Sequence, residues 1–263
     1  MYPKMKPSPP VVLCLSGHDP TGGAGIQADI ETVCRLGCYP SSVITALTVQ
    51  DTRNVYKVLP QNAEAFLKQA LTVLRDMPPA VIKIGLLGSV ELVHAVHELL
   101  ESAPGVPVVL DPILAAGGGT SLASEMLIES LRRTLIPRAT VLTPNSPEAR
   151  KLAGMEDLDD CGRTLLAFGC PNVLLTGAHE NENDVVNRLY RASGVKTYRW
   201  PRLPGSYHGS GCTLASAIAA LLASGKDIEH AMSDAQDFTW QALSNGYRLG
   251  TGQKLPNRLY PVR

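Results

Sequence analysis

The run His208-Gly209-Ser210-Gly211-Cys212-Thr213 opens a strongly apolar stretch. Its two glycines let a backbone approach a ligand closely. The first N–H groups of a helix have no internal partner, and the helix dipole favours negative charge beside them. A turn built from Gly209, Ser210 and Gly211 at a helix start can therefore hold an anion developing on a transferred phosphoryl group. Packing alone explains a solitary Gly-x-Gly turn about equally well. Cys212 falls in the first turn, where a helix N-terminus lowers a thiol's pKa and favours the thiolate. Such a thiolate could take the proton from an attacking hydroxyl. A lone cysteine would read as a buried apolar residue; the adjoining glycines tip Cys212 toward chemistry.

Thr143-Pro144-Asn145-Ser146-Pro147-Glu148 offers a second candidate. Asn145 and Glu148, three apart on a first helical turn, lie close together and could hold a hydrated Mg²⁺ through oxygen. The spacing also suits an N-cap with its partner glutamate, which on spacing alone is the better reading. The loop from Ser16 and Gly17 to Asp29 is rich in glycine but matches neither a P-loop nor a clean dinucleotide fingerprint. Asp29 could meet a polar ligand from the following helix or be solvated. Asp111 closes an apolar run just before Pro112, at the strand end where parallel sheets bind ligands. Gln50 also ends a strand; its amide can donate and accept side by side, which suits an aminopyrimidine edge, and a turn residue is an equal reading.

The elements around these residues alternate. Strands are expected at 11–15, 42–49, 81–84, 106–110, 140–142 and 173–175, and helices at 26–36, 63–74, 90–100, 122–135, 147–153 and 161–168. Short apolar strands separated by amphipathic helices of about ten residues imply a mostly parallel sheet in an α/β fold. A hairpin is expected at 185–190 and 195–200 around Ser193-Gly194, followed by helices at 213–224 and 228–244. With no repeat and no long linker, residues 1–263 read as one domain.

The 263 residues are 44% hydrophobic and 18% charged, with Lys plus Arg equal to Asp plus Glu at 24 each. That balance argues against a protein coating nucleic acid, and no apolar run is long enough for a membrane span. The first ten residues carry charges and prolines without an apolar core, so no signal peptide is expected. Six cysteines without a Cys-x-x-Cys pair suit reduced thiols in a cytoplasm.

Four ordered segments together resemble the hydroxymethylpyrimidine/phosphomethylpyrimidine kinase family of thiamin biosynthesis, within the ribokinase-like superfamily. They are the segments from Gly17 to Asp29, Ser42 to Gln50, Thr143 to Glu148 and His208 to Thr213. The resemblance implies a three-layer ribokinase-like fold, ATP and Mg²⁺ as cofactors, a small pyrimidine substrate and a homodimer. It makes Cys212 the base for the substrate hydroxymethyl group and Gly209, Ser210 and Gly211 the anion hole. It gives Glu148 and Asp111 to the metal, and Gln50, Gly17, Asp29 and Leu86 to the pyrimidine. Asn145, Thr176 and His208 fall to the nucleotide.

Two departures from the family stand out. Gly117, Gly118 and Gly119 occupy positions where members carry Lys-Ser-Gly, and Thr176 stands where a lysine is frequent. Both losses weaken the case for a second phosphorylation, because lysine is a point charge suited to phosphate. A pyridoxal kinase of the same superfamily is the nearest rival, although Gln50 favours an aminopyrimidine. A binding protein without catalysis and a dinucleotide-dependent oxidoreductase are the others. The retained Gly209, Gly211, Cys212 and Glu148 count against the first, and the missing ribose-binding acid against the second.

Overall fold

The computed structural model describes residues 8–115 and 122–260. Nine strands, β1 (Val11–His18), β2 (Tyr39–Gln50), β3 (Val55–Pro60), β4 (Val81–Ile84), β5 (Val108–Leu110), β6 (Val141–Leu142), β7 (Val173–Leu175), β8 (Asp184–Arg191) and β9 (Gly194–Pro201), form one sheet. Its order is β3-β2-β1-β4-β5-β6-β7-β8-β9. β2 through β7 pair in parallel, whereas β3 on one margin and the β8–β9 hairpin on the other are antiparallel. Among the described residues the α-helices are α1 (Gly25–Arg35), α2 (Ala63–Asp76), α3 (Val90–Glu101), α4 (Glu125–Ser130), α5 (Ser146–Ala153), α6 (Leu158–Ala167), α7 (Ser210–Ala223) and α8 (Ile228–Ser244).

The central strands are short apolar runs because both of their faces are covered. In β1, Leu13 and Leu15 join one core with Phe66 of α2, Leu92 and Leu99 of α3 and Leu165 of α6. Val12 and Cys14 join the other with Ile26 of α1, Ile218 of α7 and Ala231 of α8. α7 is apolar nearly all round because it is wedged between the sheet, α1 and α8. No helix among the described residues is long and apolar enough to cross a membrane.

Three local differences from the sequence expectation have physical causes. β3 was not expected: only Val55 of its six residues is buried, so the exposed edge strand shows no apolar pattern. The helix expected over 122–135 starts only at Glu125, capped by Ser124, and passes into a π turn at Leu131–Leu135 and a 3₁₀ turn at Ile136–Arg138. Pro137, which cannot donate to the ladder, sits in that last turn. α6 begins three residues before the expected 161, where the Asp157 carboxylate accepts from the Asp159 and Asp160 amides.

Candidate active site

A cleft of about 710 Å³ runs across the carboxyl ends of the parallel strands. Gly17 and His18 of β1, Gln50 of β2, Asp111 after β5, Thr143 after β6 and Thr176 after β7 all reach its wall. So do Leu86, Asn145, Glu148, His208, Gly209, Ser210, Gly211 and Cys212. Asp29 is the exception among the residues singled out from sequence.

The late glycine turn and the first loop interlock. Gly209 caps α7 with φ of 74°, a left-handed conformation that favours glycine, and a Cβ there would collide with the Gly23 carbonyl oxygen. Gly211 is different. A Cβ at Gly211 would meet nothing closer than the Asp111 Oδ2 at 3.7 Å. Packing therefore requires glycine at 209 and not at 211, where its absent side chain leaves room facing Asp111. The first helical bond of α7 runs from Thr213 N to Gly209 O at 3.0 Å, so the amides of Ser210, Gly211 and Cys212 have no acceptor within the helix.

Opposite this turn stand two buried carboxylates. Asn145 and Glu148 do form the capping box: Asn145 Oδ1 accepts from the Glu148 amide, and Glu148 Oε2 accepts from the Asn145 amide, both at 3.0 Å. Glu148 Oε1 accepts from Leu114 N at 3.3 Å. Burial, then the charge of Asp111, pushes Glu148 up to about 8. Burial likewise lifts Asp111 to about 6, against the pull of Lys83 and with the added charge of Asp29. Asp111 Oδ2 is buried without a hydrogen-bond partner. An unpartnered carboxylate oxygen and two buried acids, one raising the other, fit a hard dication, and a site with so few protein ligands suits one completed by water and phosphate oxygens.

The thiol of Cys212 does not behave as its place in a first turn suggests. Burial pushes it up to about 12, and Asp111 and Asp29 add to the rise, while Lys83 and the Gly25 amide oppose it. Desolvation of this buried sulfur on the cleft wall outweighs the helix-terminus effect and favours the thiol over a ready thiolate. In a Cys34→Ser background, which removes the exposed cysteine, iodoacetamide labelling of Cys212 at pH 7.5 should run at least about a hundredfold slower than an ordinary thiol. It should quicken about tenfold per pH unit between 8 and 11, because the thiolate fraction sets the rate. Peptide mass mapping reads this directly, and rapid labelling at neutral pH would mean a thiolate.

Asp29 is sealed beneath the cleft instead of lining it. Its Oδ1 accepts from Lys83 Nζ at 2.8 Å and from Ser216 Oγ at 2.6 Å, and its Oδ2 accepts from Ser16 Oγ at 2.6 Å. Lys83 also donates to Ser16 Oγ at 2.9 Å. A carboxylate with these partners has no access to a substrate, so direct pyrimidine binding by Asp29 does not hold. Lys83 was missed. In β4 it alternates with Ile82 and Ile84, which face the opposite core, and so points toward α1 and α7. A lysine inside a four-residue apolar strand was the available signal. Burial works against its charge, but Asp29, with Cys212 and Asp111, more than offsets this and holds the ammonium above the ordinary lysine range.

His208 sits with Gln50 rather than with Thr176. Its Nε2 lies 2.8 Å from Asp19 Oδ2 and 3.4 Å from Gln50 Nε2. Asp19, also unforeseen, accepts from Thr21 N and Ala24 N at 2.8 Å each, which ties the first loop into its bend. Although burial opposes it, the bonds from His208 and Gln50 hold Asp19 below the usual carboxylate range. Thr176 continues β7, its N donating to Pro144 O at 2.9 Å and its O accepting from Ser146 N at 3.0 Å. Gly117, Gly118 and Gly119 lie outside the described residues.

Known proteins are similar to this chain in sequence and in fold. The chain is 39% identical over 251 residues to a hydroxymethylpyrimidine/phosphomethylpyrimidine kinase of Streptomyces coelicolor, covering 93% of both chains. Among solved structures, the fold matches Bacillus subtilis pyridoxal kinase in an ADP complex with a TM-score of 0.89, at 27% identity over 95% of this chain and 98% of that one. It matches a phosphomethylpyrimidine kinase from Clostridium difficile 630 with a TM-score of 0.78, at 34% identity over 89% of this chain and 99% of that one. These similarities identify the sheet and its flanking layers as the ribokinase-like fold. With the profile described as phosphomethylpyrimidine kinase matching residues 19–257, from Asp19 in the first loop through the late glycine turn and α8, the chain belongs to the phosphomethylpyrimidine kinase family.

Proposed function

We propose that the chain moves the terminal phosphoryl group of ATP onto the hydroxymethyl oxygen of 4-amino-5-hydroxymethyl-2-methylpyrimidine, and onto its monophosphate, in thiamin biosynthesis. The observation that carries this reading is the open side of Gly211, which faces the unpartnered Asp111 oxygen across the cleft. A row of amides without a helical acceptor and a buried acid pair on either side of one space is what an in-line transfer between two oxygens needs.

In this reading Gln50 and Leu86 hold the pyrimidine, with the backbone of Gly17 against the ring. The amides of Ser210, Gly211 and Cys212 receive the charge on the moving phosphoryl oxygens. Glu148 and Asp111 would hold Mg²⁺, which when bound neutralises phosphate charge. The substrate oxygen attacks phosphorus, the bond to the leaving ADP breaks, and the hydroxyl proton passes to Cys212 Sγ in its thiolate form, the form that Lys83 and the Gly25 amide favour. Phosphoryl transfer through a loose transition state asks little of the base, so the small thiolate fraction of a raised thiol is compatible with the role. The nucleotide lies along Thr176, Asn187 and the β8–β9 hairpin. Arg202 is occupied there by the carbonyls of Ala178, Glu180 and Glu182 at 2.8–2.9 Å. Lys151, one turn after Glu148, lines the cleft and forms no ion pair among the described residues, so it stands in for the ammonium that Thr176 lacks. A homodimer and a cytoplasmic location belong to the same reading.

The likeness to pyridoxal kinase favours pyridoxal as the second reading. ATP consumption with Mg²⁺ separates them when hydroxymethylpyrimidine, its monophosphate and pyridoxal are offered in turn, with Cys212→Ala as the blank. Turnover of the pyrimidine is expected. Turnover of pyridoxal alone would replace the substrate, and no turnover with any of the three would end the kinase reading.

A further inference from the structure

The C-terminal segment, residues 253–260, binds both loops that frame the glycine turn. Lys254 O accepts from His208 N at 2.9 Å, Lys254 N donates to Ser206 O at 3.0 Å, and Gln253 N donates to Thr52 O at 2.8 Å. Backbone bonds also fix it to the end of α8: Leu255 exchanges both bonds with Tyr247, and Asn257 N donates to Ala242 O. These backbone bonds anchor residues 253–257 without help from Arg258, and Arg35 holds the Tyr260 carbonyl at 3.0 Å. Arg258 nevertheless buries its guanidinium almost completely, at 1% exposure. Its Nε donates to Thr213 Oγ1 at 2.9 Å, one Nη to Gly22 O at 3.2 Å and to Glu31 Oε2 at 3.0 Å, and the other Nη to Gly23 O.

These acceptors belong to the two walls of the anion-holding turn, and both routes converge on Gly209. Thr213 Oγ1, which accepts from Arg258, donates in turn to Gly209 O at 2.8 Å. The Gly23 carbonyl that Arg258 holds is the one against which Gly209 is pressed, leaving no room for a Cβ. A planar fork reaching four acceptors, on the first loop, α1 and α7, is a task for arginine and not for the single ammonium of lysine. Burying a guanidinium costs stability unless geometry repays it, and its one bonded carboxylate, Glu31, is itself partly exposed. The match to the family profile ends at residue 257, one short of this side chain.

Resting on the reading of Ser210–Cys212 as the receptor for the moving phosphoryl group, we propose that Arg258 is a positioning residue of the reaction, locking the glycine turn to the first loop so that its amides meet the transition state. It touches neither substrate nor phosphate; it acts through Thr213 and Gly23.

The test compares wild type, Arg258→Lys, Thr213→Val and the double variant, all assayed well below their melting temperatures. Arg258→Lys should lower kcat at least 20-fold while the pyrimidine KM and the affinity for MgADP alone stay within about threefold. Binding of MgADP with aluminium fluoride, which mimics the planar phosphoryl group, should weaken at least tenfold. Thr213→Val should lower kcat about fivefold, and the double variant should lose less than the product of the two, since both cut one relay. Should Arg258→Lys fail to fold, the kcat and aluminium fluoride readouts of Thr213→Val decide. Wild-type kcat in a folded Arg258→Lys or, in that event, in Thr213→Val, or losses that follow only the unfolded fraction, would overturn the positioning role. Wild-type inactivity with every substrate would instead overturn the reaction and this inference with it.

Discussion

Gly211→Ala should fold as well as wild type and lose at least about a hundredfold in kcat. The residue lies inside the first turn of α7, without a positive φ, and an added methyl would touch only Asp111 oxygens at ordinary contact distance. Alanine in place of glycine within a helix gains about 0.5–1 kcal/mol, so the melting temperature should hold or rise. The methyl would nevertheless fill the space between the free amides and the acid pair, and loss of comparable anion-hole contacts costs about 10²–10³ in rate. Gly209→Ala should instead lose stability together with turnover. A left-handed conformation without glycine costs about 1–2 kcal/mol, and the clash with the Gly23 carbonyl would force the two loops apart. Thermal unfolding and turnover measured on both variants read the contrast. Near wild-type kcat in Gly211→Ala would remove the anion hole, and a fully stable Gly209→Ala would contradict the interlocked turn.

The two glycines show where sequence reading stops. Gly-x-Gly before an apolar helix marks the turn, but which glycine serves the chain and which the ligand depends on Gly23, more than 180 positions away, and on Asp111 from another strand. Asn145 and Glu148 posed a choice between cap and site. They form the cap and also line the cleft, because a helix that starts at a strand end puts its capping pair on the cleft wall. The alternation of strands and helices was legible since each central strand is buried on two faces, whereas β3, mostly exposed, left no periodicity to read. Local rules failed where several elements sum their fields. Cys212 obeys burial and the charges of Asp111, Asp29 and Lys83 rather than the start of its own helix. Asp29 drew notice for standing beside a glycine loop, yet its partners come from β1, β4 and α7, and no spacing along the chain announces them.

That buried assembly leads to the second large effect: Lys83→Met should destabilise the protein by about 3–5 kcal/mol and depress turnover as well. Lys83 and Asp29 are both fully buried, and removing one partner leaves the other's charge uncompensated in the interior. A linear side chain of similar length fills the same space, so the loss reports charge and hydrogen bonds rather than a cavity. The cation also draws Asp111 and Cys212 down while burial pushes both up. Without it, Asp111 should titrate higher, and the acid limb of the pH–rate profile should move toward neutrality. Asp29→Leu in the Lys83→Met background should then cost little more than Lys83→Met alone, because the second change removes the stranded carboxylate while freeing only the Ser16 and Ser216 hydroxyls. Urea unfolding of the two single variants and the double variant gives the coupling, expected to exceed about 2 kcal/mol. Strictly additive losses would show that the two residues do not act as a pair. An unmoved acid limb in Lys83→Met would confine the lysine to the fold, whereas a shifted limb ties the charge sealed behind β4 to the chemistry in the cleft above it.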